Sequence, residues 1–166
     1  MSGDPYPEKI KKCINSWKEK LPDYEIRLWD ANSFDVNQSV WVKEAFEAKR
    51  YAFCSDYIRC YALYNYGGIY LDSDVEVLKS YDSLLSLPYF MGMESAGFIE
   101  AATMGAEAHH PFFKKLDYYE NRHFLNKNGE PDLVVMPEVI MSILCDNFKL
   151  KEVNSIKEFD NNTALN

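Results

Sequence analysis

Several features that would settle the class of this sequence at once are scarce or missing. There are four cysteines in 166 residues, Cys13, Cys54, Cys60 and Cys145. None forms a CxxC pair, and Cys54 and Cys60 are not at a metal-ligand spacing, so neither a zinc site nor a disulfide framework is expected. Reduced thiols in a cytosolic protein fit best. No apolar run reaches the roughly 20 residues that a transmembrane helix needs, and no secretory signal opens the chain. The expected location is the cytoplasm, with a peripheral place at the inner membrane as its extension. Basic charge is also short: 18 Lys and Arg stand against 26 Asp and Glu, a net charge of -8. That argues against a nucleic-acid partner, which needs a basic footprint. It leaves a nucleotide open as ligand, because a bound divalent cation can offset the phosphates. Repeats and low-complexity tracts are absent.

What is present is a hydrophobic content of 47% with 15% aromatics, enough for one domain with a core of its own. Residues 1–166 read as a single, partial domain, with 155–166 as a flexible tail. Tyrosine is the commonest aromatic, 12 residues, and its flat face with a hydroxyl suits carbohydrate as well as ordinary core packing.

Helical spacing of Ile10, Cys13, Ile14, Trp17 and Leu21, between Pro5/Pro7 and Pro22, predicts a first helix with Trp17 in the core. Tyr24–Asp30 alternates and predicts a strand. Ser39–Lys49 predicts a helix with Val40, Ala45 and Phe46 partly inward. Tyr51–Tyr66 predicts another, stopped by Gly67-Gly68 in a left-handed cap. Ile69-Tyr70-Leu71 then reads as a short buried strand. Strands are expected over Tyr89–Glu94 and Gly97–Gly105. Helices are expected from Pro111, carrying Phe112, Phe113, Leu116 and Tyr119, and from Pro137, carrying Val139, Ile140, Ile143 and Leu144. Helices alternating with strands point to an α/β sandwich with a mainly parallel sheet.

The chemistry concentrates between Ser55 and Glu76. Asp56 and Arg59 are three apart on a helix and share a face. The strand after the glycines delivers Asp72-Ser73-Asp74, whose first and third side chains point the same way. Two carboxylates ending a buried strand call for positive charge, and their oxygens suit Mg²⁺ or Mn²⁺. Taken singly, the Asp-x-Asp triplet is a common solvated turn and the Asp56/Arg59 pair a common surface pair. Their combination with the Gly-Gly stop is far more specific.

The stretch Tyr51-Ala-Phe-Cys-Ser-Asp-Tyr-Ile-Arg59, followed by Gly67-Gly-Ile-Tyr-Leu-Asp-Ser-Asp-Val-Glu76, resembles the DXD sugar-binding glycosyltransferases of the family 32 type. These include bacterial capsular-polysaccharide transferases, fungal initiating α-1,6-mannosyltransferases and, more distantly, the clostridial glucosylating toxins. The likeness runs from about Pro7 to Asn147. It implies a GT-A fold, a nucleotide-diphospho-sugar transferase sandwich, and a retaining transfer from a UDP- or GDP-linked sugar to a carbohydrate or lipid-linked saccharide acceptor, in cell-surface or capsular polysaccharide synthesis. By the same resemblance, Asp74 is a direct ligand of Mn²⁺ or Mg²⁺. Asp72 faces the ribose and the sugar and touches the metal indirectly. Asp56 and Arg59 hold donor-sugar hydroxyls, and Tyr70 and the backbone at Leu71 lie beside the nucleotide. No catalytic base is implied. The opening strand of the IPKIIHYxW type and the C-terminal His/Trp segment usual in such proteins have no counterpart here, and Glu100 stands where Asn is frequent. A fold lacking those parts is expected.

Other residues carry milder expectations. His109-His110-Pro111 reads as a loop before a helix, His123 as a structural residue on a helix face, and Glu76 as a solvated or outer carboxylate. Trp29 and Trp41 are candidates for stacking on sugar, and Glu94, Glu100 and Glu107 read as surface charges. Among other functions, a non-catalytic remnant that binds sugar or a partner is the main alternative. A haloacid-dehalogenase-like phosphohydrolase would need a downstream Ser or Thr, a Lys and an acidic pair that cannot be placed. A calcium loop fails because Val77 and Ser83 occupy the positions of its Gly and Glu.

Overall fold

The computed structural model describes residues 6–93, 99–114 and 117–148. Expectations resting on Pro5, Glu94, Gly97, Leu116, the Cys145 side chain and 155–166 lie outside the described residues.

Helix α1 (Glu8–Lys20) starts after Pro7 and closes at Leu21, with the Leu21 N–H donating to the Trp17 carbonyl. The segment Tyr24–Asp30 is not a strand. Its alternation is present, but Ile26 and Leu28 are exposed, and Arg27 instead stacks on the rings of Trp29 and Tyr66. Helix α2 (Val40–Glu47) is capped by Ser39, whose hydroxyl accepts from the Val42 N–H, the usual way to satisfy a first-turn donor. Its buried face is Trp41, Val42 and Ala45, whereas Val40 and Phe46 point outward. Helix α3 (Tyr51–Tyr66) has the bounds that the sequence predicts.

Trp41 is fully buried between α2 and α3 and is therefore a core residue rather than a sugar platform. Its indole N–H donates to the Phe53 carbonyl at 2.9 Å, and Tyr118, Tyr119 and Phe124 meet it edge-on, the arrangement that ring quadrupoles favour. Trp29 packs against Tyr61 and Tyr66.

Gly67 ends α3 with φ 66° and ψ -161°, a region essentially reserved for glycine. A Cβ there would also sit 2.7 Å from the Ala108 nitrogen. The chain reverses into β1 (Gly68–Leu71), and β2 (Tyr89–Met93) and β3 (Ile99–Ala106) follow. Among the described residues the sheet order is β1-β3-β2, and both pairings are antiparallel. The expectation of a mainly parallel sheet is thus corrected: β3 lies between β1 and β2 and runs antiparallel to both. Being at the sheet edge, β1 is half-buried rather than buried.

Of the helix expected from Pro111, α4 covers Pro111–Lys114, and Asp117–Tyr119 takes a 3-10 turn. Helix α5 (Met136–Phe148) buries Val139, Ile140 and Leu144 against β3. No helix among the described residues is long and apolar enough to cross a membrane.

Candidate donor-binding site

The site is built where α3 crosses the end of β1. Arg59 and Asp56, one turn apart on α3, are both buried, at 6% and 9% exposure. Ions are that deep only with partners, and Arg59 has them on every side. Its Nη1 donates to the Ala101 carbonyl at 2.6 Å. Its Nη2 lies 3.4 Å from Asp56 Oδ1 and 3.3 Å from Asp72 Oδ1, and 3.3 Å from the Ser55 hydroxyl. The guanidinium also sits over the Tyr70 ring, 4.9 Å from its centre. The Tyr70 hydroxyl donates to Asp72 Oδ1 at 2.7 Å. Thus Asp56, Arg59, Tyr70 and Asp72, drawn from two elements, form one connected cluster.

A bulge in β3 makes the strongest of these contacts available. Met91 faces Met104, but the next pair is Gly92 with Glu100, so residues 101–103 have no opposite number on β2. Bulges re-aim backbone groups in this way. The Ala101 carbonyl turns to Arg59, the Ala102 carbonyl accepts from the Asp72 N–H at 2.8 Å, and the Ala102 N–H is satisfied by Glu100 Oε1 at 2.7 Å. Glu100 therefore braces the bulge rather than serving as a free surface charge. Ser55 and the Ala101 carbonyl escaped the sequence reading, since neither residue type announces the role and the bulge exists only through pairing.

Electrostatics follow from this burial. Loss of hydration pushes Asp56 up to about 6, with Arg59 opposing and Asp72 reinforcing the shift. Burial works against the charge on Arg59, but Tyr70, Asp72 and Asp56 outweigh it and its pKa is raised. Burial likewise pushes the Tyr70 hydroxyl up, so it remains a donor. Beneath the cluster, the Tyr119 hydroxyl is fully buried without a hydrogen-bond partner among the described residues.

Asp74 lies outside this cluster. Its side chain is 58% exposed, and Lys9 Nζ approaches its Oδ2 at 3.9 Å. Glu76 pairs with Lys12 at 2.8 Å. No three His, Cys, Asp or Glu side chains among the described residues form a ready metal cage. Mg²⁺ and its like are generally held by one or two carboxylates, with substrate phosphates and water completing the shell. Asp74 is open to solvent, and among the described residues the Asp72 side chain meets Tyr70 and Arg59 through Oδ1, so this donor set fits such a cation.

The remaining candidates resolve as packing. His109 meets the Tyr64 ring and His110 the Tyr89 ring, as suits a loop pair rather than a metal site. His123 is not on a helix, and its Nδ1 lies 2.7 Å from Glu44 Oε1. Trp17 is partly buried, with its indole N–H donating to the Val75 carbonyl at 2.7 Å. Cys13, Cys54 and Cys60 are free and buried.

With this geometry in hand, comparison with known proteins is decisive. Residues 7–91, about half of the chain, match the family described as glycosyltransferase sugar-binding region containing DXD motif. The chain belongs to that family. The mannosyl phosphorylinositol ceramide synthase SUR1 of Saccharomyces cerevisiae is 31% identical over 146 residues, covering 73% of this chain and 38% of that protein. Inositol phosphoceramide mannosyltransferase 2 of Schizosaccharomyces pombe is 33% identical over 114 residues, covering 65% and 32%. The chain thus spans only about a third of these relatives' length. Among solved structures, the PaToxG glycosyltransferase matches with a TM-score of 0.56 at 17% identity, over 88% of this chain and 65% of that one. The fold is therefore of the α/β type seen in that glycosyltransferase, here with a small antiparallel sheet.

Proposed function

We propose that this chain carries the donor site of a glycosyltransferase that moves a sugar, mannose foremost, from a nucleoside diphosphate to a hydroxyl on an inositol phospholipid headgroup. The observation that carries the reading is the buried Arg59 held between Asp56 and Asp72 at the tip of β1, with Asp74 exposed two residues on. A sugar with several hydroxyls is matched by such a set of fixed donors and acceptors. In this reading Asp56 and Arg59 take donor-sugar hydroxyls, and Tyr70 and Leu71 flank the nucleotide. Asp72 faces the ribose and sugar, and Asp74 holds Mn²⁺ or Mg²⁺ with indirect help from Asp72. When bound, that cation neutralises charge on the departing diphosphate. The chain's own part is to orient the sugar against a guanidinium that the β3 bulge has already fixed, so little reorganisation remains at the moment of reaction.

The acceptor in this proposal is supported by the names of the relatives, which specify phosphorylinositol ceramide and inositol phosphoceramide. Capsular polysaccharide finds no support among them. The test is a transfer assay with GDP-mannose, UDP-glucose and UDP-galactose, each offered inositol phosphoceramide or a free oligosaccharide, with products read by mass spectrometry. Mannosylated lipid, lost in Asp74→Ala, is expected. Product on the oligosaccharide alone would overturn the acceptor class. No product from any donor would leave the non-catalytic reading in its place.

A further inference from the structure

The first helix is fastened along the segment that follows the Asp-x-Asp turn. Four contacts run in step: Lys9 to Asp74 at 3.9 Å, Trp17 Nε1 to the Val75 carbonyl at 2.7 Å, Lys12 to Glu76 at 2.8 Å, and the Val77 N–H to the Ser16 hydroxyl at 2.9 Å. Three are tight and one is loose. Both lysine side chains are largely exposed, Lys9 at 76% and Lys12 at 70%, but Lys12 contacts Glu76 at 2.8 Å whereas Lys9, in the first turn of α1, is 3.9 Å from Asp74 Oδ2. A lysine ammonium with three donors and a flexible stem is suited to a mobile phosphate oxygen. A diphosphate held beside Asp74 would come within reach of the flexible Lys9 stem.

We propose that Lys9 is a diphosphate-binding residue of the donor site, supplied by α1 while Trp17 and Ser16 hold that helix in place. The proposal rests on the donor-site reading above. It makes α1 part of the binding machinery: Lys9 would give up its loose contact with Asp74 to donate to a diphosphate oxygen of the donor. Lys12, which donates to Glu76 at 2.8 Å, has no such role.

The experiment is calorimetric titration of GDP, UDP, GMP and UMP in Mg²⁺ into the wild-type chain, Lys9→Ala, Lys9→Arg and Lys12→Ala. Lys9 is exposed, so its substitutions leave the fold intact, which circular dichroism verifies. Lys9→Ala is expected to weaken the preferred diphosphate by roughly 10-fold, the order of one charge-assisted contact, with a much smaller change for the monophosphate. Lys9→Arg and Lys12→Ala should stay near wild type. Equal diphosphate affinity in wild type and Lys9→Ala would overturn the role of Lys9 alone, as would equal losses for mono- and diphosphate. Failure of the wild-type chain to bind any nucleotide would overturn the donor-site reading and this proposal with it.

Discussion

Asp56 makes the pH dependence of this fold run against the usual carboxylate trend. Its pKa rises from an ordinary 3.8 to about 6 because burial removes its hydration faster than Arg59 repays it. Between those values the folded state holds a proton that the unfolded chain has released. By linkage, the contribution of Asp56 to stability is therefore greatest below about pH 4 and falls as pH rises through 6. A shift of about two units, at about 1.4 kcal/mol per unit, amounts to roughly 3 kcal/mol. Exposed carboxylates with lowered pKa, such as Asp30 and Asp82, pull the other way, so the effect is read as a difference. Urea denaturation of wild type and Asp56→Asn, followed by tryptophan fluorescence from pH 4 to 8, provides it. The variant should gain on wild type by roughly 2.4 kcal/mol across that range, nearly all of it between pH 4 and 7. Parallel stability curves, or a wild type that gains on the variant as pH rises, would refute the reasoning.

Two further predictions concern the same crossing of α3 and β1. Arg59→Met should cost about 3–5 kcal/mol in a denaturation experiment at pH 8, because it leaves Asp56 buried without its cation. The loss should shrink at pH 5, where Asp56 is protonated; a pH-independent loss would mean that Arg59 acts through packing alone. Gly67→Ala should cost at least about 2 kcal/mol, since φ 66° is compounded by a 2.7 Å approach to the Ala108 nitrogen. Gly68→Ala, with φ 92° and nothing within 4 Å, should cost only about 1 kcal/mol. Equal losses at the two glycines would show that backbone conformation alone decides.

How much of this was legible in the sequence depends on whether the deciding interaction is local. Helix α3 and its glycine stop are local events, so periodicity and a residue with no Cβ locate them correctly. Asp56 and Arg59 share a face by helix geometry alone, and Asp72 follows from the strand's brevity. The direction of the sheet is different. An isolated strand looks the same whether its neighbour runs with it or against it, and only the pairing of β1 and β2 with β3 decides. Tyr24–Asp30 shows the converse: its alternation finds no partner strand among the described residues, and Arg27 meets aromatic rings instead. The bulge that frees the Ala101 carbonyl, and the lysines that α1 lays beside Asp74 and Glu76, join residues far apart in sequence. Neither could be read before the chain was folded.

In the proposed function, Asp72 and Asp74, backed by Arg59, form a cation-assisted site for a nucleoside diphosphate sugar. The most direct measurement is calorimetric titration of GDP-mannose and UDP-glucose into the folded chain, with and without Mn²⁺, beside Asp74→Ala. The account predicts saturable binding of one donor that disappears when the cation is withheld and when Asp74 is replaced. Binding that is indifferent to both, or no binding of either donor, would contradict it.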